Sequence, residues 1–240
     1  MYINNSIAHL GLVLMRVCTI LPTLNEEKGI KKIIDRIPNP FVNKVVVIDG
    51  NSIDNTVNVV KNCEKPDCEI ELMVQHGKGK GMALQTFLNT FDLDEYDAYV
   101  MLDADCTYDP KEIKNMVSPI INNEADVVMG NRLSNKNIRR VMPFSTYIGN
   151  KILTFFAMIC CSEDPKDVCT GYWSFSKDAL EKIKITARSF DLEVNLFAQA
   201  VKKKFRIKTV PISYKKRVGI KKLKKRHAFI ILLRLLKEML

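Results

Sequence analysis

Two aspartates separated by one residue, Asp103 and Asp105, close the apolar run 96–102 (YDAYVML). Hard oxygen donors at that spacing suit Mg2+ or Mn2+, which take one or two carboxylates and complete their shell with water and phosphate oxygens. An ion held there would neutralise the charge that builds on a departing diphosphate. A D-x-D pair alone is often a solvated turn. Beside an apolar strand, however, its charge has to be compensated by something. Similar groups recur along the chain: Pro22-Thr23-Leu24-Asn25-Glu26, then Asp49 at the end of KVVVID, then Lys80 in the glycine-rich loop GKGKGMA.

Each of these groups falls just after a segment with strand character. Strands are predicted at 17–21, 44–48, 69–74, 96–102 and 125–129. Helices are predicted between them: from a Thr23 or Asn25 cap to 37, then 54–63, 81–91 and 110–121. Strand alternating with helix implies parallel pairing, right-handed crossovers and a doubly wound sheet. Ligands of such sheets sit beyond the carboxyl ends of the strands, where the special residues cluster. After residue 130 the pattern changes to a strongly apolar helix at 148–161, a short strand at 170–175 and helices at 178–183 and 190–203. An edge-type strand at 208–210 and a helix at 228–240 follow.

At 240 residues and 47% hydrophobic, the chain suits one large α/β domain or a domain with a C-terminal appendage. Seven cysteines without a CxxC pair suit neither a disulfide framework nor a zinc site, so reduced thiols in a cytosolic compartment are expected. The net charge of +10 is local: 215–226 (KKRVGIKKLKKR) carries eight Lys or Arg and no acid, and removing those eight leaves +2. With no aromatic-interleaved basic stripe, a nucleic-acid-binding role is disfavoured. No segment is expected to reach the roughly 18–20 apolar residues of a spanning helix. Residues 7–15 are apolar but lack a basic leader and cleavage site, and 1–14 read as a short extension. In 228–240, Arg234, Lys237 and Glu238 are expected to share one side and leave a broad apolar face. With the preceding cations this describes a helix lying on the anionic cytoplasmic leaflet, bringing Arg217 near lipid phosphates.

Taken in order, the motifs resemble the family 2 glycosyltransferases. VIDGNSIDNT (47–56) is similar to that family's VVDDGSTDGT, and GKGMAL (79–84) to its GKGxAL. DADCTYDP (103–110) is similar to its DADLQHDP, and Gly130-Asn131-Arg132 stands where GSR is usual. Met142-Pro143, Gly149-Asn150, DVCTGY (167–172), FDLE (190–193) and 210–219 continue the series, and the resemblance covers residues 17 to about 222. It looks closest to the polyprenyl-phosphate (dolichol-phosphate) mannosyltransferase branch.

The resemblance implies a nucleotide-diphospho-sugar transferase fold of GT-A type, α/β with a mostly parallel central sheet flanked by helices. It implies a catalytic domain at 15–222, with a donor half at 15–130 and an acceptor half at 131–222, and a basic, amphipathic segment at 223–240. The implied activity is inverting transfer of a sugar from a nucleotide-diphosphate donor to a polyprenyl (dolichyl) phosphate, with Mg2+ or Mn2+, by a protein peripheral on the cytoplasmic membrane face. Asp105 would be the direct metal ligand and Asp103 would face metal or ribose. Asp49, with Pro22, Leu24 and Glu26, would hold the nucleoside, and Lys80 would add a point charge. Arg132 and Arg217 would face phosphates, and Arg139, Arg140 and Trp173 would lie toward the acceptor. A soluble transferase acting on a glycan or glycolipid hydroxyl is the alternative, with Asp167 or Glu193 as the base such an acceptor needs. Three positions depart from the family pattern: Gly50 replaces a second aspartate, Thr107 stands where a Gln is frequent, and Ser145-Thr146 lacks an expected Arg.

Overall fold

The computed structural model describes residues 15–220 and 226–239; the expected extension at 1–14, the centre of the basic run at 221–225 and Leu240 lie outside them. Strands β1 (Val17–Thr23), β2 (Lys44–Asp49), β3 (Glu69–Val74), β4 (Ala98–Met101), β5 (Val127–Asn131), β6 (Trp173–Ser176) and β7 (Ile207–Pro211) form one sheet, ordered β3-β2-β1-β4-β6-β5-β7. Neighbours pair in parallel except at β6, which runs antiparallel between β4 and β5. All six residues of β2 are buried, as a strand covered on both faces requires. Because successive side chains alternate, Val45 and Val47 enter one core layer and Val46 and Ile48 the other.

The helices are α1 (Ile30–Arg36), α2 (Thr56–Lys61), α3 (Lys80–Thr90), α4 (Ile113–Ile121), α5 (Ile138–Val141), α6 (Phe144–Cys161), α7 (Lys177–Lys182), α8 (Leu192–Lys202) and α9 (Arg226–Met239). Ile30, Ile33 and Ile34 of α1 join Ile113, Met116 and Val117 of α4 in one layer. Phe87 of α3, Ala157 of α6, Leu180 of α7, Phe197 of α8 and Leu235 of α9 build the other. The chain winds outward from β1 through β2 to β3, then returns to lay β4 on the opposite side of β1. That reversal opens a crevice at the carboxyl ends of β1 and β4. The loops after those strands carry Glu26, Asp103 and Asp105.

Three features differ from the sequence reading. Helix α1 begins at Ile30 behind Gly29, with no side-chain cap. Asn25 is unavailable for that role because it adopts φ 50° and ties its loop to the one after β2, accepting from Ile53 N at 2.8 Å and donating to Ser52 Oγ at 2.8 Å. Helix α6 starts four residues earlier than expected. Its 18 residues, at a mean hydropathy of 1.3, are long and apolar enough to cross a membrane by length and composition, although no such segment was expected. In α9 the charges do not share an outer side. Arg234 and Glu238 face inward, bound to Asp191 at 2.6 Å and Lys202 at 3.1 Å, while Lys237 alone of the three is exposed.

Candidate active site

The loop after β4 is built around Asp105. Its Oδ1 accepts from the Thr107 amide at 3.0 Å and the Thr107 hydroxyl at 2.5 Å, a local turn that leaves Cys106 at φ 65°. Its Oδ2 accepts from Arg217 Nη1 at 2.7 Å, and the other arm of the same guanidinium binds Glu26. Arg217 therefore bridges a carboxylate from the β1 loop and one from the β4 loop. The segment carrying it lies along the β4 loop, with Lys215 N donating to Thr107 O at 2.8 Å and Val218 N to Asp105 O at 2.9 Å. Burial pushes the Asp105 carboxyl above its ordinary range and the charge of Asp103 adds to the push, while Arg217 and Thr107 pull it back.

Asp103 belongs to a second charged group. Lys80 Nζ, at the first turn of α3, contacts Asp103 Oδ1 at 2.6 Å and Glu193 Oε1, on α8, at 2.7 Å. Against the cost of burial, those two carboxylates hold the Lys80 ammonium above its ordinary range. Burial likewise raises the Glu193 carboxyl; Lys80 opposes and Asp103 reinforces that shift. Two glycines permit the close approach. A Cβ at Gly171 would stand 2.5 Å from Asp103 Oδ2, and one at Gly79, which has φ 99°, would stand 2.3 Å from Arg188 O. Glycine is the residue that meets both demands.

Asp49 closes β2 on the same edge. Its Oδ2 accepts from Ser52 N at 3.0 Å, whereas Oδ1 is buried with no hydrogen-bond partner among the described residues. An orphaned buried acceptor costs free energy and calls for a donor. Pro22 is half-buried in β1 and Leu24 is exposed just beyond it. Among the described residues no cluster of three or more His, Cys, Asp or Glu could hold a metal ion. Mg2+ and Mn2+ do not need one, since substrate phosphates complete their shell. Asp103 and Asp105 fit such an ion: both are oxygen donors, and Asp105 already sits beneath a bound cation, the Arg217 guanidinium.

Comparison with known proteins decides the family. The model of glycosyl transferase family 2 matches residues 18–184. The chain belongs to glycosyl transferase family 2. It is 31% identical over 205 residues to the low-salt glycan biosynthesis hexosyltransferase Agl6 of Haloferax volcanii, a match covering 83% of this chain but 48% of that protein. It is 29% identical over 208 residues to the UDP-N-acetylglucosamine–dolichyl-phosphate N-acetylglucosaminyltransferase of Methanococcus voltae, covering 80% of this chain and 83% of that one. In fold it is similar to glucosyl-3-phosphoglycerate synthase from Mycobacterium tuberculosis, crystallised with Mn2+, UDP and glucosyl-3-phosphoglycerate. The TM-score is 0.72 at 19% identity, covering 97% of this chain and 82% of that one. The transferase thus has the GT-A-type fold that its motifs imply.

Three expected site residues of the transferase are held in buried contacts, and two more are exposed. Arg132 is not turned to an open phosphate site: Nε and Nη2 bind Asp167 at 2.8 and 2.7 Å, and Tyr214 packs on the guanidinium with its ring centroid at 5.4 Å. Asp167 is fully buried in that pair and also accepts from Arg132 N at 3.0 Å, so it is not placed to act as a base. Trp173 is fully buried and stacks on Phe175, its Nε1 donating to Thr170 O at 2.7 Å, out of an acceptor's reach. The aromatic alternation of WSF placed it on a core face of β6. Arg139 and Arg140 are exposed on α5.

Sequence reasoning gave no role to Tyr108 or Gln75, which hold the site's shape, and read Thr107 only as a departure from the family pattern. Thr107 fixes the Asp105 rotamer. Tyr108 Oη accepts from Gly171 N at 2.6 Å, and Gln75 Nε2 donates to Gly77 O and Gly79 O at 3.1 and 3.0 Å. A hydroxyl two residues after an aspartate was the one available signal, pointing to a local turn at Asp105.

Proposed function

We propose that this transferase moves a sugar, with inversion, from a nucleotide-diphosphate donor to a polyprenyl phosphate, as a peripheral protein at the cytoplasmic membrane face. The observation that carries the proposal is the convergence of Glu26, Asp49, Asp103 and Asp105 at the carboxyl ends of β1, β2 and β4, two of them already clamped on a guanidinium. Asp49 Oδ1 offers the nucleoside an oriented acceptor. Asp103 and Asp105 would hold Mg2+ or Mn2+, whose charge offsets that of the leaving diphosphate. Arg217 reaches Asp105 and Glu26 on a long side chain and is available to swing onto phosphate oxygens, where its planar fork matches two at once. A lipid phosphate is ionised at neutral pH, so the protein's task is to orient it in line rather than to remove a proton. The name of the Methanococcus voltae relative supports this acceptor class. A hydroxyl acceptor is the second reading, favoured by Glu193: half-buried, sharing Lys80 with Asp103 and with a raised carboxyl pKa, it has the character of a general base.

The deciding experiment screens nucleotide sugars with Mn2+ and a short-chain polyprenyl phosphate, using Asp105→Ala as control. Transfer that is lost in Asp105→Ala and in EDTA, with the variant's thermal unfolding unchanged, is the expected result. Near-normal transfer by Asp105→Ala would refute the metal assignment. Turnover only with hydroxyl acceptors, abolished by Glu193→Gln, would establish the second reading instead.

A further inference from the structure

Helices α6 and α9 lie side by side, and their outward faces are apolar. Leu153 and Ala157 of α6 and Ile231 and Leu235 of α9 share one core cluster, which fixes the two helices against each other and the body. On α6, Phe144, Ile148, Ile152, Phe155, Phe156 and Ile159 remain exposed, Phe144 at 66% and Phe155 at 56%. Their spacing of three and four residues makes one stripe along the helix. On α9, Ile230, Leu233 and Leu236 are exposed beside it. Two charged groups of α9 point the other way: Arg234 and Glu238 are turned inward onto Asp191, Thr186, Asn195 and Lys202. With Ile231 and Leu235 in the core and Arg234 and Glu238 paired inward, Ile230, Leu233 and Leu236 are left on the outer side of α9. Contiguous exposed apolar surface of this kind marks an interaction site.

We propose that α6 and α9 together form a docking face that sinks into the surface of an anionic lipid bilayer. The charges at this face favour lipid over another protein surface. Lys151 is the one charged residue of α6 and Lys237 the exposed charge of α9, both cations. Chain 215–226, with eight Lys or Arg and no acid, runs directly into α9. An apolar stripe flanked by cations matches the acyl boundary and head groups of an anionic leaflet. Spanning is excluded by the packing of α6, because Leu153 and Ala157 hold one side of the helix against the body while Asn150 and Thr154 are buried there. The face therefore lies in the interface plane.

This proposal rests on the lipid-acceptor reading and gives it a route. Thr154 of α6 accepts from Val168 N at 3.2 Å, and three residues later Gly171 abuts Asp103. Arg217 lies nine residues before the start of α9. Both helices are thus connected within a few residues to the carboxylate crevice.

The test is co-sedimentation of the full chain with phosphatidylcholine vesicles with and without phosphatidylserine, no polyprenyl phosphate present. Binding to the anionic vesicles that weakens with salt is expected, and at least tenfold weaker binding by Phe155→Ser/Ile159→Ser. A second variant, Leu233→Ser/Leu236→Ser, should behave alike, so that misfolding of either one is recognised by its unfolding temperature. Transfer to a short, water-soluble isoprenyl phosphate should survive in both. Vesicle capture without any glycosylation of polyprenyl phosphate would uphold the face and defeat the acceptor reading. Turnover of the short acceptor with wild-type and variants sedimenting equally would overturn the face alone. A concentration-dependent dimer that the substitutions split, with no vesicle binding, would also overturn it by assigning the face to a second copy.

Discussion

Replacing Asp167 by Ala tests the largest departure from the motif reading, the burial of Arg132. Asp167 is fully buried and Arg132 is 6% exposed, joined by two side-chain contacts and one from the Arg132 amide. Removing the carboxylate strands a guanidinium in a site with little water. Breaking a buried pair in this way costs about 3–5 kcal/mol. For a domain of this size that corresponds to a fall of roughly 6–20 °C in Tm. Arg132→Met should cost a similar amount by stranding the carboxylate. The double variant Arg132→Met/Asp167→Asn leaves neither charge uncompensated and keeps an acceptor for the amide, so it should recover most of the loss. Urea denaturation at pH 7 followed by circular dichroism measures all three, with donor KM determined in parallel. If Asp167→Ala lowers stability by less than about 1 kcal/mol, well below the range for a broken buried pair, the pair is not what positions Arg132. If Arg132→Met instead raises donor KM at unchanged stability, Arg132 is a phosphate ligand and the structural role argued for the pair is refuted.

Asp49→Ala should raise donor KM more than it lowers kcat, since the lost contact is with the nucleoside rather than the reacting centre; equal effects on both would refute that role. Trp173→Ala should destabilise by about 3–5 kcal/mol through the core cavity it leaves, whereas Trp173→Phe should leave acceptor KM unchanged, and a large acceptor effect in the Phe variant would return Trp173 to the site. Glu193 gives a pH signature. Its folded-state carboxyl is raised above the ordinary value of 4.5, so the folded protein binds that proton more readily than the unfolded chain. Its contribution is fully present below the unfolded value and is lost as pH rises through the raised folded value. The stability of wild type relative to Glu193→Gln, from urea midpoints between pH 4 and 8, should therefore fall with pH; a difference that grows with pH would refute the sign.

The strand and helix pattern and the crevice loops were legible in sequence because they follow from local chemistry. Continuous β-branched runs such as KVVVID specify buried strands, and turn residues after each run specify where loops carry Asp49, Asp103 and Asp105. A strand–helix alternation leaves few ways to pair, so the parallel half of the sheet follows as well. Other features depend on contacts between residues far apart in sequence, which no local pattern encodes. The antiparallel insertion of β6 between β4 and β5 is one. The partner of each long charged side chain is another: Arg217 could reach lipid, phosphate or carboxylate, and the packing of its segment on the β4 loop selects Glu26 and Asp105. Arg132 was assigned to phosphate by its place in a motif, yet it is 35 residues from the Asp167 that claims it. The orientation of α9 was decided the same way. Its spacing allows Arg234 and Glu238 to face out or in, and only the presence of Asp191, Asn195 and Lys202 on the neighbouring surface turns them inward, with Leu233 and Leu236 left outside.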